Sequence, residues 1–414
     1  MSDQRSLRNA CRSPLCSVTI LAALVLAACG PEAPGAPPAT DTALPAAQGG
    51  AEAGTAATPA EPAPTSKYEK VVVGEEIDIP GDPALYPLVA PGPYNAGKRS
   101  YSYEDASRDN RPVRITVWYP ALLPEGSNGS PFQVGRDRDP DPIGAPYPLL
   151  LSDTKAANVL APYLISHGFT WVSIDRIDTW AKMDSEMIHQ PLDLLFALDQ
   201  VAAHPPEGLE GMIDAERTGV TGYSFGGYNT LALSGARIDA AYYLAQCPEP
   251  DPTTESVLFL MSSYSCIPAS NWDEYAAHAP EAITASEDGL WQPMTDPRIQ
   301  AVMPLAGEGW WLFGERGLAA VDRPTLMIVA TADVLYPENA LIFEHIGTPD
   351  KSLISFVGPG HLMIFDAEMV ARMAHFVVAF FGHHLQRRAD LAQYYSEEFV
   401  TEHDDLAWGV YSDR

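Results

Sequence analysis

Gly222-Tyr223-Ser224-Phe225-Gly226-Gly227 sets a serine between glycines in a G-x-S-x-G arrangement. A short apolar run ending near Thr221 precedes it, and a helical stretch with Thr230, Leu231 and Leu233 follows. That strand–turn–helix context is what a nucleophile elbow requires. Such a turn forces Ser224 into a strained backbone conformation, and side chains at Gly222 and Gly226 would collide across it. A phosphate-binding loop would need a following Lys-Ser/Thr pair or a GxGxxG pattern, and neither is present. A serine hydroxyl is a poor nucleophile until a base removes its proton. The elbow therefore predicts a carboxylate and a histidine further along, in the order Ser, acid, His.

His361, in Gly358-Pro359-Gly360-His361 after the last apolar strand-like run, is the predicted base. Most other histidines fall on helical or polar stretches and read as surface or structural groups. Two acids compete for the third role. Asp333 follows the apolar run Leu326-Met327-Ile328-Val329-Ala330 and could equally be a helix cap or turn residue. Glu308 lies in Gly307-Glu308-Gly309-Trp310 beyond the preceding run. The shorter, more rigidly presented Asp333 is favoured, because Glu308 has another rotatable bond and a glycine on each side.

These residues need a scaffold, and the chain from residue 67 to 414 alternates short β-rich runs with longer helical ones and has no internal repeat. That is an α/β signature. Antiparallel strands are expected around Tyr101–Tyr103 and Val113–Tyr119. Core strands are expected at Tyr147–Ser152, Thr170–Ile174, Thr218–Thr221, Ala301–Leu305, Pro324–Ala330 and Ser352–Val357. Most are continuous apolar runs, as strands covered on both faces demand. Leu195, Leu198, Val201 and Ala202 mark one helix, and another runs from Asp366 to about Phe381. The stretch from about 241 to 298, rich in Pro, Ser and acid, interrupts the alternation and reads as an inserted lid.

The amino-terminal end reads as targeting rather than structure. Arg5, Arg8 and Arg12 precede an apolar run from Val18 to Ala28, too short to span a membrane as a mature helix. Leu26-Ala27-Ala28-Cys29-Gly30 resembles the lipobox of bacterial lipoproteins, which makes residues 1–28 the expected signal peptide and Cys29 the expected lipidation site; an ordinary secretory signal cut near Ala28 is the other reading. Residues 29–66, dominated by Pro, Ala, Gly and Thr, form a tether too poor in large apolar groups to offset ordering entropy. Of five cysteines, only Cys247 and Cys266 then remain in an exported, oxidising compartment. They are expected to pair, with two buried free thiols as the other reading. There is no CxxC pair, HExxH helix or implied cofactor. The 414-residue chain carries 25 basic and 54 acidic residues, a net charge of −29, which disfavours nucleic acid and leaves uncharged or cationic ligands.

Over roughly Pro112 to Phe381 the chain resembles the α/β-hydrolase fold, and within it bacterial dienelactone-hydrolase-related and platelet-activating-factor-acetylhydrolase-like esterases. Val117-Trp118-Tyr119-Pro120, Ser166-His167-Gly168-Phe169, the elbow, and the Asp333 and His361 loops carry that resemblance. Polyester-degrading hydrolases look similar over the same stretch. Dienelactone hydrolases use cysteine where Ser224 stands, so the resemblance implies ester hydrolysis through an acyl-enzyme rather than their reaction. It also implies an oxyanion hole from the N–H of Phe225 and a second N–H in Ser152-Asp153-Thr154-Lys155, where Thr154 and Lys155 both remain candidates. The acetylhydrolase-like relatives place their acid near Glu308, against the physical preference for Asp333. Trp310 and Trp311 either line the substrate pocket or pack the lid. The expected protein is thus an exported envelope lipoprotein hydrolysing a small or medium uncharged ester. A serine peptidase on the same fold and a non-catalytic binding scaffold are the alternatives.

Overall fold

The computed structural model describes residues 80–126, 129, 132–175, 185–247, 266–284 and 286–412. The signal, Cys29, the tether and the centre of the insert lie outside them.

The described residues form an α/β body around one mixed, mostly parallel sheet. Its strands are β1 (Asn95–Asp105), β2 (Arg111–Ala121), β3 (Val134–Arg136), β4 (Tyr147–Asp153), β5 (Thr170–Ile174), β6 (Ile213–Tyr223), β7 (Ile299–Leu305), β8 (Thr325–Ala330), β9 (Lys351–Phe356) and β10 (Leu406–Trp408). They lie in the order β10-β9-β8-β7-β6-β4-β5-β2-β1-β3. From β5 through β4, β6, β7 and β8 to β9 every pairing is parallel. β2 runs antiparallel to β5 and β1 to β2 at one side, and β10 antiparallel to β9 at the other.

Successive side chains leave a strand on opposite faces, so a strand covered by helices on both sides must be apolar at every position. In β4, Leu150 joins the core beneath one layer while Leu149 and Leu151 join the other. In β8, Ile328 does the same opposite Met327 and Val329. Helices α1 (Thr154–Ser166) and α9 (Ala367–His384) supply the first layer, through Leu160, Leu164, Phe376 and Phe380. Helices α2 (Glu186–Ala203), α3 (Phe225–Leu233), α7 (Trp310–Leu318) and α8 (Tyr336–His345) cover the second.

Several elements differ from expectation. β1 and β2 extend well beyond their apolar runs because their long ladder pairs polar positions on an exposed side, and β6 because Ile213 and Asp214 pair with Tyr147 and Pro148 of β4. The buried stripe of α2 is Leu194, Ala197, Leu198 and Val201, so Leu195 and Ala202 are only partly buried at its margin. In the insert, α4 (Ala240–Gln246), α5 (Trp272–Ala276) and α6 (Glu281–Thr284) are short. Cys247 and Cys266 are bonded there, with Cα atoms 5.5 Å apart. Tyr243, Trp272, Tyr275 and Trp291 pack ring against ring and share a core cluster with Phe225 and Trp311.

Candidate active site

The carboxyl ends of the parallel strands gather the chemistry. β6 delivers Ser224, β7 the turn containing Glu308, β8 the loop of Asp333, β9 the loop of His361, and β4 runs straight into α1 at Asp153–Thr154. The chain passes from β5 across β4 to β6, so Ser224 and Thr154 flank the point where the strand order reverses. Such a switch point is where open α/β sheets form their binding crevice.

Ser224 has φ 61° and ψ −118°, a conformation that costs a non-glycine residue about 1–3 kcal/mol. Its surroundings impose it. The Ser224 N–H donates to the Leu305 carbonyl at 2.9 Å, and its own carbonyl accepts from Gly227 and Tyr228 at 2.7 and 3.1 Å. Neither flanking glycine has room for a Cβ. One at Gly222 would lie 2.3 Å from the Gly226 carbonyl oxygen, and one at Gly226 would lie 2.1 Å from Asp153 Oδ2.

The hydroxyl meets the predicted base. Ser224 Oγ is 2.9 Å from His361 Nε2, and His361 Nδ1 is 2.8 Å from Asp333 Oδ2. Ser224 is only 1% exposed, and the Asp333 side chain is equally buried. The other Asp333 oxygen, Oδ1, accepts from Leu335 N–H at 2.9 Å, which fixes the carboxylate plane. The Asp333 and His361 loops are tied by the Ala332 N–H to the Pro359 carbonyl and the Gly358 N–H to Thr331 Oγ1. Tyr223 adds a brace that sequence reading missed: its hydroxyl donates to the His361 carbonyl at 2.7 Å. Burial and the nearby Asp333 charge push that phenol well above the ordinary tyrosine range, so it stays a donor. Glu308 is buried in the turn after β7, but the carboxylate opposite the imidazole is that of Asp333.

The two groups expected to stabilise an oxyanion both begin helices. Phe225 opens α3 directly after Ser224. Thr154 and Lys155 are the first two residues of α1, where N–H groups are not used by the helical ladder. Asp153 caps that helix by accepting from Ala156 N–H at 3.1 Å, and the Thr154 hydroxyl donates to the Ile174 carbonyl at 2.8 Å. Lys155 Nζ lies 5.8 Å from the Tyr223 ring centre. Trp310 packs between Tyr242 and His345, with ring centres 6.0 and 4.8 Å away. Trp311 is buried against Tyr243. Among the described residues, no group of three or more His, Cys, Asp or Glu is placed to hold a metal.

A buried serine, an imidazole bonded at both nitrogens and an enclosed carboxylate can generate an alkoxide at neutral pH and return its proton to a leaving group. No protein-family model matches this chain, and no curated protein matches it.

Proposed function

We propose that this chain is a serine carboxylic-ester hydrolase of the α/β-hydrolase fold, working through an acyl-enzyme at a bacterial cell envelope. The observation that carries the reading is the continuous Ser224–His361–Asp333 hydrogen-bond chain at 2.9 and 2.8 Å, with its serine on a strained strand–turn–helix elbow. The fold reading is supported by the order of these residues along the chain and by their convergence at one sheet edge.

In this mechanism His361 Nε2 takes the Ser224 proton as Oγ attacks the ester carbonyl, and Asp333 stabilises the resulting imidazolium. The tetrahedral oxyanion is held by the N–H of Phe225 and that of Thr154 or Lys155, each donor worth about 3 kcal/mol. Collapse expels the alcohol with the proton from His361, and water repeats the sequence on the acyl-Ser224 ester. The substrate is a small or medium uncharged ester, and no step calls for a cofactor. Anchorage through a lipid on Cys29 would hold the domain at a membrane surface.

A fluorophosphonate probe with a series of p-nitrophenyl acyl esters and a peptide amide tests the reading. Labelling lost in Ser224→Ala, with turnover of esters and not of the amide, is the expected result. Amide turnover would assign a peptidase, and an unlabelled, inactive wild type would leave a binding scaffold.

A further inference from the structure

Helix α8 begins three residues after Asp333, and two adjacent side chains on it reach the turn after β7. Glu338 Oε1 accepts from the N–H groups of Gly309 and Trp310 at 2.7 and 3.0 Å. Asn339 Nδ2 donates to the Gly307 carbonyl at 2.9 Å and to the Leu335 carbonyl at 2.8 Å. The turn lacks a cap of its own, because the residue before α7 is Gly309, with φ 128° and no side chain to offer. Glu338 supplies that cap from 29 residues away. The braced turn is itself pressed on the nucleophile elbow: a Cβ at Gly227 would lie 2.5 Å from Gly307 Cα. Gly227 in turn donates its N–H to the carbonyl of Ser224.

We propose that Glu338 is a positioning residue for the Ser224 site, its carboxyl group holding the Gly307–Trp310 turn against the elbow and so coupling the Asp333 loop to the nucleophile. The inference rests on the ester-hydrolase reading above. A purely structural cap would serve as well with any acceptor. Glu338, however, is 4% exposed, and its second oxygen, Oε2, is buried with no hydrogen-bond partner among the described residues.

The charged group that acts on it is Asp333, from the loop before α8; Tyr242 approaches from α4, Glu308 belongs to the braced turn, and His345 stands over Trp310 on α8 itself. Burial first, then the Asp333 charge, push Glu338 up to about 7, against the two N–H donors that pull it down. Its charge therefore appears across neutrality. Ionisation strengthens the two N–H bonds that hold the turn. The turn is therefore gripped less firmly in acid, which moves the acid limb of the activity profile towards higher pH.

The test is kcat and KM for p-nitrophenyl acetate against pH, on the full chain, for wild type, Glu338→Gln and Glu338→Ala. Glutamine keeps the Oε1 acceptor and cannot ionise. Its expected profile has a kcat plateau within about threefold of wild type and an acid-limb midpoint at lower pH. Alanine frees the turn, so kcat should fall by about tenfold or more with KM little changed, since small misplacements of reacting groups carry large rate penalties. A Glu338→Gln profile that superimposes on wild type overturns the proposal, as does a folded Glu338→Ala variant with wild-type kcat. Fluorophosphonate labelling of the wild type separates the two levels. Absent labelling sinks the hydrolase reading and this inference with it, whereas a labelled, active wild type with unaltered Glu338 variants sinks this inference alone.

Discussion

His361 is held at both ring nitrogens, and the two contacts ask for different things. In the proposed mechanism Nε2 accepts the Ser224 proton, which requires Nδ1 to carry the hydrogen that faces Asp333 Oδ2. An asparagine at 333 would offer an N–H to that nitrogen and favour the wrong tautomer. Asp333→Asn is therefore expected to lower kcat by about 10⁴ at neutral pH, by analogy with serine proteases, while leaving the fold intact. Glu308→Gln should keep most of the activity, because Glu308 is not the carboxylate facing the imidazole. The measurement is kcat for one short-chain ester on folded variants, and the opposite ranking would transfer the role to Glu308. The glycines make a second prediction at this scale. Gly226→Ala drives a methyl group into Asp153 Oδ2, 2.1 Å from the ideal Cβ position. Asp153 caps α1, so the clash should disturb the elbow and the Thr154–Lys155 turn together and reduce kcat far more than KM. A Gly226→Ala variant with wild-type kcat would mean that the two segments move apart freely.

At the scale of elements, the insert is held to the body by packed rings such as Tyr243 on Trp311, and is closed on itself by the Cys247–Cys266 bond, whose partners are 19 positions apart in sequence. A covalent loop of that length restricts the unfolded chain by about 3 kcal/mol on the chain-entropy model. Reduction by dithiothreitol should lower the urea midpoint accordingly; an unchanged midpoint, or two thiols titrating in the unfolded, unreduced mature protein, would exclude the bond as a contributor. The elements differed in how far their sequences announced them. β4, β7 and β8 were legible because burial on both faces leaves a nearly continuous apolar run of strand length, and β5 and β9 from shorter apolar runs interrupted by the buried Ser173 and Ser355. β3 and β10, three residues each, carry no pattern long enough to read and exist because a neighbouring edge pairs with them. The same division runs through the site. Ser224, Asp333 and His361 were legible from punctuation, a glycine turn or a loop just past an apolar strand. Glu338 was not, because in Tyr336-Pro337-Glu338-Asn339 it reads as an ordinary acid in a first helical turn, and only the tertiary approach of Gly309 and Trp310 buries it. Tyr223 has a local signal, its place in the elbow, but its bond to the His361 carbonyl spans 138 positions.

At the scale of the whole molecule, the charge of −29 and the buried histidines respond to acid in opposite ways. Acid reduces net negative charge and so relieves self-repulsion, a long-range effect that salt screens. The histidines act locally. His375, on α9, accepts from Leu88 N–H on Nδ1 and faces the Tyr394 carbonyl with Nε2, both at 3.2 Å. Protonation would set an N–H against the Leu88 donor. Burial pushes His375 down to about 3, and pushes His189 and His384 down to about 4. All three folded values lie below the ordinary 6.5 of the unfolded chain. The unfolded state thus binds more protons between pH 6.5 and about 4, and stability is complete above pH 6.5 and falls as pH drops through that window. The fully buried His375 contributes up to about 1.4 kcal/mol per pH unit, and the part-exposed His189 and His384 less, because solvent screens them. Glu338 has the opposite sign: raised to about 7 from 4.5, it is better protonated when folded and stabilises towards acid. Burial also pushes His167 down and Asp175 up, so four imidazoles stand against two carboxyls and leave a net loss. Urea unfolding at neutral pH and at about pH 5, in enough salt to screen surface charge, should therefore show a clearly lower midpoint in acid. Because Leu88 is part of the contact, that loss should be accompanied by a lower protection factor for its amide, with the intrinsic slowing of exchange in acid divided out. A midpoint that holds or rises towards pH 5 under high salt would mean that relief of self-repulsion, and not the buried imidazoles, sets the acid response of this protein.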